Sequence, residues 1–253
     1  MTARFFIEVA YQGARYAGFQ KQENANSIQS EVERALRVYY REAIDLTGSS
    51  RTDAGVHAYQ NYFHFDYRSD AEETMKNSVY HLNAILPEDI VINRIARALD
   101  GAHCRFDAVS REYEYRIYRS KNPFIKDRAY YFPYTIDIDR MNEAAEMIRL
   151  NEDFQSFSKK NTQVHNYVCK IEESYWKWEG DMLIYKVKGN RFLRGMVRGL
   201  AGTMLRLGTN KLNIDQFQSI IQSKDCKKVD FSTPPHGLIL VKVNYKVGVF
   251  KNS

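Results

Sequence analysis

Apolar and polar residues alternate from Arg4 to Tyr11, after which the spacing changes and Ile28, Val32, Ala35, Leu36 and Tyr39 recur on one face of a helix over Ser27–Tyr39. The first stretch predicts a strand and the second a helix. Alternating aromatics from Tyr59 to Tyr67 predict another strand, Met75, Val79, Leu82 and Leu86 a second helix ending before Pro87, and Ile90–Ala98 a third strand. This succession is that of an α+β lobe with helices packed on one side of a sheet.

A second strand-rich region opens at Tyr113, where Tyr113, Tyr115 and Ile117 alternate with Glu114, Arg116 and Tyr118. Met141, Ala144, Ala145 and Ile148 predict an amphipathic helix over Asp139–Leu150. Ile171–Trp178 and Met182–Lys188 predict a hairpin turning at Glu179, Gly180 and Asp181. A long helix is expected over Arg191–Leu207, and a closing strand over Gly237–Tyr245. No repeat, linker or low-complexity segment interrupts the chain. The expected organisation is one lobe over residues 1–107 and a second over 108–253, sharing a continuous sheet or a broad cleft.

The 253 residues are 44% hydrophobic, enough for a sizeable core, and 37 Lys+Arg against 31 Asp+Glu leave a net charge of +6. That excess suits a polyanionic partner without requiring one. With 18 Tyr and 14 Phe there are also rings to stack on bases, although most must be core. Cys104, Cys169 and Cys226 are far apart and form no C-x-x-C pair, which argues against a disulfide framework or zinc ribbon and points to a reducing cytoplasm. No apolar run is long enough for a membrane span. The six histidines contain no H-E-x-x-H, so no metal is expected.

Candidate chemistry gathers in residues 48–58, a run with little apolar bulk that sets one acid, Asp53, close to Arg51 and Gly55. Gly48 and Gly55 mark backbone that needs unusual dihedrals or close approach to a ligand; a plain exposed turn has the same composition. On the long helix, Arg191, Arg194 and Arg198 fall on one face and Gly195, Gly199 and Gly202 on a neighbouring one. Helical glycines cost about 1 kcal/mol each relative to alanine, so this stripe predicts the approach of another backbone or a ligand, and the Arg row is read as facing a site. Gly13 to Gly18 has P-loop spacing, but Phe19 and Gln20 stand where a P-loop needs Lys and Ser or Thr. No G-x-G-x-x-G or G-x-S-x-G is present. What remains is an isolated carboxylate, which can act as a nucleophile without a cofactor.

Ser50–Ala58 resembles the G-R-T-D-A-G-V-H-A signature of the TruA-type tRNA pseudouridine synthases, with only Ser50 departing from it. Similar segments follow in the family's order: Tyr11–Gln22, Asn83–Ile90, His103–Tyr118, Phe192–Arg198 and Pro234–Leu240. Gln12 and Phe19 replace the family's usual Asp and Trp, and Asn161–Lys170 lacks its usual arginine-bearing pattern.

The resemblance implies two ferredoxin-like or RRM-like lobes, a central mainly antiparallel sheet flanked by helices, and an active-site cleft between the lobes. It implies isomerisation of uridine to pseudouridine at positions 38–40 of the tRNA anticodon stem-loop by a cytoplasmic homodimer, with no cofactor. Asp53 is then the catalytic aspartate, Arg198 its basic partner and Tyr113 the ring at the uracil. Leu238 packs the base, Arg51 displaces the target nucleotide, and Arg191 and Arg194 hold phosphates. The competing readings are a non-catalytic RNA-binding or RNA-folding protein and an aspartyl-nucleophile hydrolase acting on a small substrate.

Overall fold

A computed structural model describes residues 1–160 and 166–251. The fold is α+β: among the described residues, a nine-stranded, mostly antiparallel sheet with five α-helices. The chain divides into two compact units, Met1–Val109 with Leu240–Ser253, and Ser110–Ile239. Of the atypical segment Asn161–Lys170, residues 161–165 lie outside the described part.

In the first unit β1 (Thr2–Tyr11) lies between β3 (His57–Arg68) and β4 (Ile90–Arg97), antiparallel to both, and the two-residue β2 (Thr47–Gly48) pairs with β3. The alternation seen in the sequence buries Phe5, Ile7 and Val9 completely. Two helices supply apolar faces close to the expected ones, with Tyr39 and Val79 only half-buried and Leu86 buried just past the end of the second helix. Helix α1 (Ile28–Tyr40) buries Ile28, Val32, Ala35 and Leu36, and α2 (Glu72–Ile85) buries Met75, Ser78 and Leu82. Ser27 caps α1 through a reciprocal box with Ser30, which satisfies orphan amides of the first turn. On the sheet's other face Phe6 packs edge-on against Tyr245 and Phe250, so the chain's last segment returns to cover β1.

The second unit contains β5 (Ala108–Tyr118), the short β6 (Tyr130–Tyr131) parallel to it, and the hairpin of β7 (Ile171–Glu179) and β8 (Met182–Gly189). The hairpin turns at Gly180, whose φ of 57° is open to glycine at little cost. Helix α3 (Ile138–Leu150) buries the four predicted residues, and its Asn142 amide both donates to and accepts from the Trp176 backbone on β7. The last strand, β9 (Leu238–Tyr245), spans the join between the units.

Helix α4 runs only from Met196 to Gly208, five residues later than the periodicity predicts. Gly195 is its N-cap with φ 73°, a left-handed conformation that no helix interior adopts. Arg191 and Arg194 therefore precede the helix and share no face with Arg198. The sequence reading also missed α5 (Ile214–Gln222), a helix of nine residues capped by Asn213 in a reciprocal box with Gln216. That box, followed by buried Phe217, Ile220 and Ile221, is the signal that could have revealed it.

Candidate active site

The Asp53 loop joins β2 to β3 and is held from three sides within the first unit. Its entry is fixed by Asn61, fully buried on β3, whose amide accepts from the Ser50 N–H at 3.2 Å and donates to the Ser50 carbonyl at 2.8 Å. The middle is fixed by Thr52, whose hydroxyl lies 2.7 Å from that of Tyr11 and whose carbonyl accepts from the Phe19 N–H at 3.1 Å. At its exit the Asp53 carbonyl accepts from the Val56 N–H at 3.2 Å, closing a tight turn with Gly55 at φ 79°. Positive φ at that third position is what a glycine supplies.

Two glycines far from the loop in sequence make this arrangement possible. A Cβ on Gly13 would stand 2.0 Å from the Val56 carbonyl oxygen, and one on Gly18 3.1 Å from the Thr52 carbonyl oxygen. Gly18 also has φ 122°, and its carbonyl accepts from the Ile28 N–H at the start of α1. The first turn of α1 is thereby linked through Gly18 and Phe19 to the backbone beside Asp53. The Gly13–Gly18 spacing that fails as a P-loop is thus a cradle for the acid's loop.

Gly48 has a different role from the one its composition suggested. It has no positive φ, and a Cβ there would meet Cε1 of Phe19 at 2.6 Å. The missing side chain makes room for the Phe19 ring, which stacks on Phe63 at 4.4 Å. Ser50 is not among the residues with positive φ, so serine fits there without backbone strain. Asp53 itself is half-buried, Arg51 is exposed, and within their unit neither side chain has an ion pair among the described residues.

In the second unit Tyr113 lies on β5 opposite Val187 of β8, half-buried, with its ring edge-on to Phe192 at 5.1 Å. Arg198, in the first turn of α4, donates from Nε (2.8 Å) and Nη2 (2.6 Å) to the Thr233 carbonyl, and more weakly from Nη2 to the Phe231 carbonyl at 3.4 Å. Thr233 returns a hydroxyl bond to the Arg198 carbonyl at 2.9 Å. The glycine stripe faces this same strap, because a Cβ on Gly202 would be 2.3 Å from the Asp230 carbonyl oxygen and one on Gly199 2.7 Å from Phe231. The close approach predicted for Gly199 and Gly202 is thus made by protein, not by a ligand, and it allows residues 229–233 to aim Arg198. Leu238 is buried at the start of β9, after a one-turn helix, Pro235–Gly237, that rests on Tyr115. The Tyr115 hydroxyl donates to the Pro234 carbonyl at 2.8 Å. Arg191 is half-buried and Arg194 exposed in the turn before α4.

Among the described residues one group has ligand atoms close enough for a metal ion, His64, His103 and Cys104, within 4.8 Å of one another. Its internal bonding suits a neutral core cluster: the Cys104 N–H donates to His64 Nδ1 at 3.3 Å and the Cys104 thiol to the Thr47 carbonyl at 3.2 Å. Burial first, then the charges of Arg4 and His103, push His64 down to about 4. A cation that disfavours an imidazolium also disfavours a divalent ion. Because the neutral ring is the form the fold favours, stability is full above the unfolded histidine pKa of about 6.5 and falls as pH drops from there toward about 4. The expected slope is at most about 1.4 kcal/mol per pH unit for this group. An NMR titration that placed the His64 midpoint near 6.5 would contradict this.

A family model described as tRNA pseudouridine synthase matches residues 151–246. The whole chain is similar to curated relatives. It is 39% identical over 250 residues to tRNA pseudouridine synthase A of Parabacteroides distasonis, covering 98% of each chain. To the enzyme of that name from Porphyromonas gingivalis it is 41% identical over 250 residues, covering 98% of this chain and 99% of the relative. To that of Staphylococcus aureus it is 35% identical over 242 residues, covering 95% and 90%. The chain belongs to the tRNA pseudouridine synthase A family.

This family is one of isomerases, so the chain is read as an enzyme and not as an RNA-binding module without catalysis. Of the candidate site residues, the first unit carries Arg51 and Asp53 on one braced loop, and the second carries Tyr113, Arg191, Arg194, Arg198 and Leu238. Family motifs did not reveal the supporting residues Asn61, Gly13, Gly18 and Thr233. Asn61 sits within an apolar, aromatic strand run, and a polar residue there that is fully buried is a signal of a backbone clamp.

Proposed function

We propose that the protein isomerises uridine to pseudouridine at positions 38–40 of the tRNA anticodon stem-loop, with Asp53 as the catalytic carboxylate. The observation that carries this reading is the Asp53 loop: one half-buried acid in a run of small residues, braced by Asn61 and by backbone packed on Gly13 and Gly18. That bracing fixes the acid's backbone while leaving the side chain's surroundings low enough for a nucleotide to enter. In the reaction the N1–C1′ bond breaks, the base turns, and C1′ bonds to C5; the C5 proton is lost and N1 gains one. Nothing is oxidised or reduced, and a carboxylate anion is reactive at neutral pH without a metal or cofactor.

In this reading Arg198 is the basic partner that orients the Asp53 carboxylate. Tyr113 stacks on the uracil and receives or relays the C5 proton. Leu238 packs the base, and Arg191 and Arg194 bind phosphates. Arg51, exposed on the same loop as Asp53, replaces the target base in its stack, a step worth a few kcal/mol in a paired stem. The proposal extends to a homodimer acting in the cytoplasm, for which three free thiols are suited. Among the described residues no helix is long and apolar enough to cross a membrane.

Mapping pseudouridine in unmodified tRNA after incubation with the purified protein tests reaction and position together. New pseudouridine at 38, 39 or 40 is the expected result, and tRNA binding with no product overturns the reading. Arg51→Ala should slow turnover about 10²-fold on a stem uridine, with a smaller loss when the target is unpaired. Equal losses on the two substrates would remove the displacement role.

A further inference from the structure

A cavity of about 430 Å³ in the second unit is lined by Lys159, Lys160, Arg194, Cys226, Lys227 and Phe231. Three separate segments build it: the stretch after the one-turn helix Gln155–Phe157, the turn before α4, and the chain from Cys226 into the strap that aims Arg198. The walls are tied together. The Lys159 N–H donates to the Arg194 carbonyl at 3.1 Å, and the Lys159 ammonium stands 5.5 Å from the centre of the Phe231 ring. Gly195 lets the Lys159 stem lie close, since a Cβ there would be 3.0 Å from Lys159 Cγ.

The lining holds four cations and no acid. Some lysines elsewhere in this unit are neutralised, Lys186 by Glu114 at 2.9 Å, Lys188 by Glu172 at 3.0 Å and Lys224 by Asp153 at 2.8 Å, while others such as Lys121 and Lys126 have no acid partner among the described residues. Among the described residues none of Lys159, Lys160, Arg194 and Lys227 has such a partner. The two acids next to the lining in sequence are turned to the backbone: Asp225 accepts from the Lys227 N–H at 3.0 Å and Asp230 from the Ser232 N–H at 2.9 Å. Like charges gathered in one concavity repel unless an anion enters.

A second cavity of about 350 Å³ shares Lys227 and continues through Lys228 and Arg206. Two adjoining basic cavities with a common lysine suit consecutive phosphates on one strand better than a single small anion. We propose that they form a track for the sugar–phosphate backbone of the RNA, holding nucleotides other than the reacting uridine. The inference rests on the reading of the protein as a tRNA-modifying enzyme. Phe231 lines the first cavity while its carbonyl accepts from Arg198, so a strand in the track lies beside the strap that orients Arg198.

The test compares wild type with a Lys160→Gln/Lys227→Gln variant, measuring tRNA affinity from about 50 to 300 mM salt alongside pseudouridine formation at saturating tRNA. Loss of two phosphate contacts should weaken binding roughly tenfold at low salt and lower the salt slope by about 1 to 2, with turnover at saturation retained. Lys160→Arg/Lys227→Arg should restore both affinity and slope. Unchanged affinity and slope in the Gln variant overturns the track, as does failure of the Arg variant to restore them while it remains folded. If inorganic phosphate or a mononucleotide loses binding in the Gln variant but tRNA does not, the cavity is a small-anion site and the proposal is wrong. Should the Gln variant lose affinity and slope as expected while wild type forms no pseudouridine, the proposed activity fails and the track stands.

Discussion

Asp53→Asn is expected to abolish pseudouridine formation, by at least about 10⁴-fold in kcat, while tRNA affinity stays within a factor of a few. The substitution exchanges one carboxylate oxygen for an amide at nearly constant volume. The bonds that shape the loop come from elsewhere: Ser50 to Asn61, Thr52 to Tyr11 and Phe19, and the Asp53 main-chain carbonyl to Val56. Loop geometry and stability should therefore be preserved, and what disappears is the anion. An amide is not a nucleophile toward C1′ or the base and cannot accept a proton at neutral pH. Single-turnover assays with wild type and variant at equal tRNA occupancy check this, with thermal unfolding as the control for folding. Product formation by the variant at even one-tenth of the wild-type rate would sink the assignment of Asp53.

Gly13→Ala should be nearly as damaging, although residue 13 carries no chemistry. Its new Cβ would lie 2.0 Å from the Val56 carbonyl oxygen and 2.7 Å from the carbonyl carbon, both backbone atoms that cannot swing aside as a side chain would. Relief requires the β1–α1 connection or the 53–57 turn to shift, with strain of about 2 to 3 kcal/mol. The Gly13 N–H also donates to Nδ1 of buried His57 at 3.0 Å, a bond the same shift would stretch. Because Asp53 is three residues from Val56 in that turn, a displacement of about 1 Å at the acid is expected to lower activity about 10²-fold. Denaturant unfolding and initial rates should fall together. A stable variant with unaltered rates would show that the turn does not depend on this close approach. The contrast with Gly101 is instructive: it has φ 81° but nothing within 4 Å, so alanine there meets only backbone strain.

Most element positions were legible because each buries one face. The apolar spacings of α1 and α3 foretold their buried residues within one residue of the observed ends, since Ser27 and Asp137 cap where the period begins. The start of α4 was not legible, because Arg191, Arg194 and Arg198 satisfy a helical period whether or not the backbone is helical. Periodicity reports side-chain spacing; the positive φ of Gly195 is a property of the backbone, and only a three-dimensional arrangement that places Lys159 and Arg194 together stabilises it. Helix α5 lay within reach through its capping box but has too few turns for its period to stand out.

The candidate chemistry divides the same way. Composition singled out the loop of Asp53 and Arg51, because a run of unusual composition is local in the chain, while Tyr113, Arg198 and Leu238 were given their roles by the family resemblance. The relatives then placed the whole chain in its family. What holds those residues in place came only from tertiary structure: glycines 13 and 18 against a loop some forty residues later, Asn61 bonding across to Ser50, and the strap 229–233 fitting the glycines of α4 to turn Arg198. The physical reason is that a glycine's absent side chain and an amide's two hydrogen bonds have no periodicity. Their purpose is set by the partner that approaches, and for Gly48 that partner proved to be the Phe19 ring and not a ligand. The sequence by itself determined the class of elements, pointed to the family and marked the candidate acid; the fold decided why that acid's loop can be so small and still keep its shape.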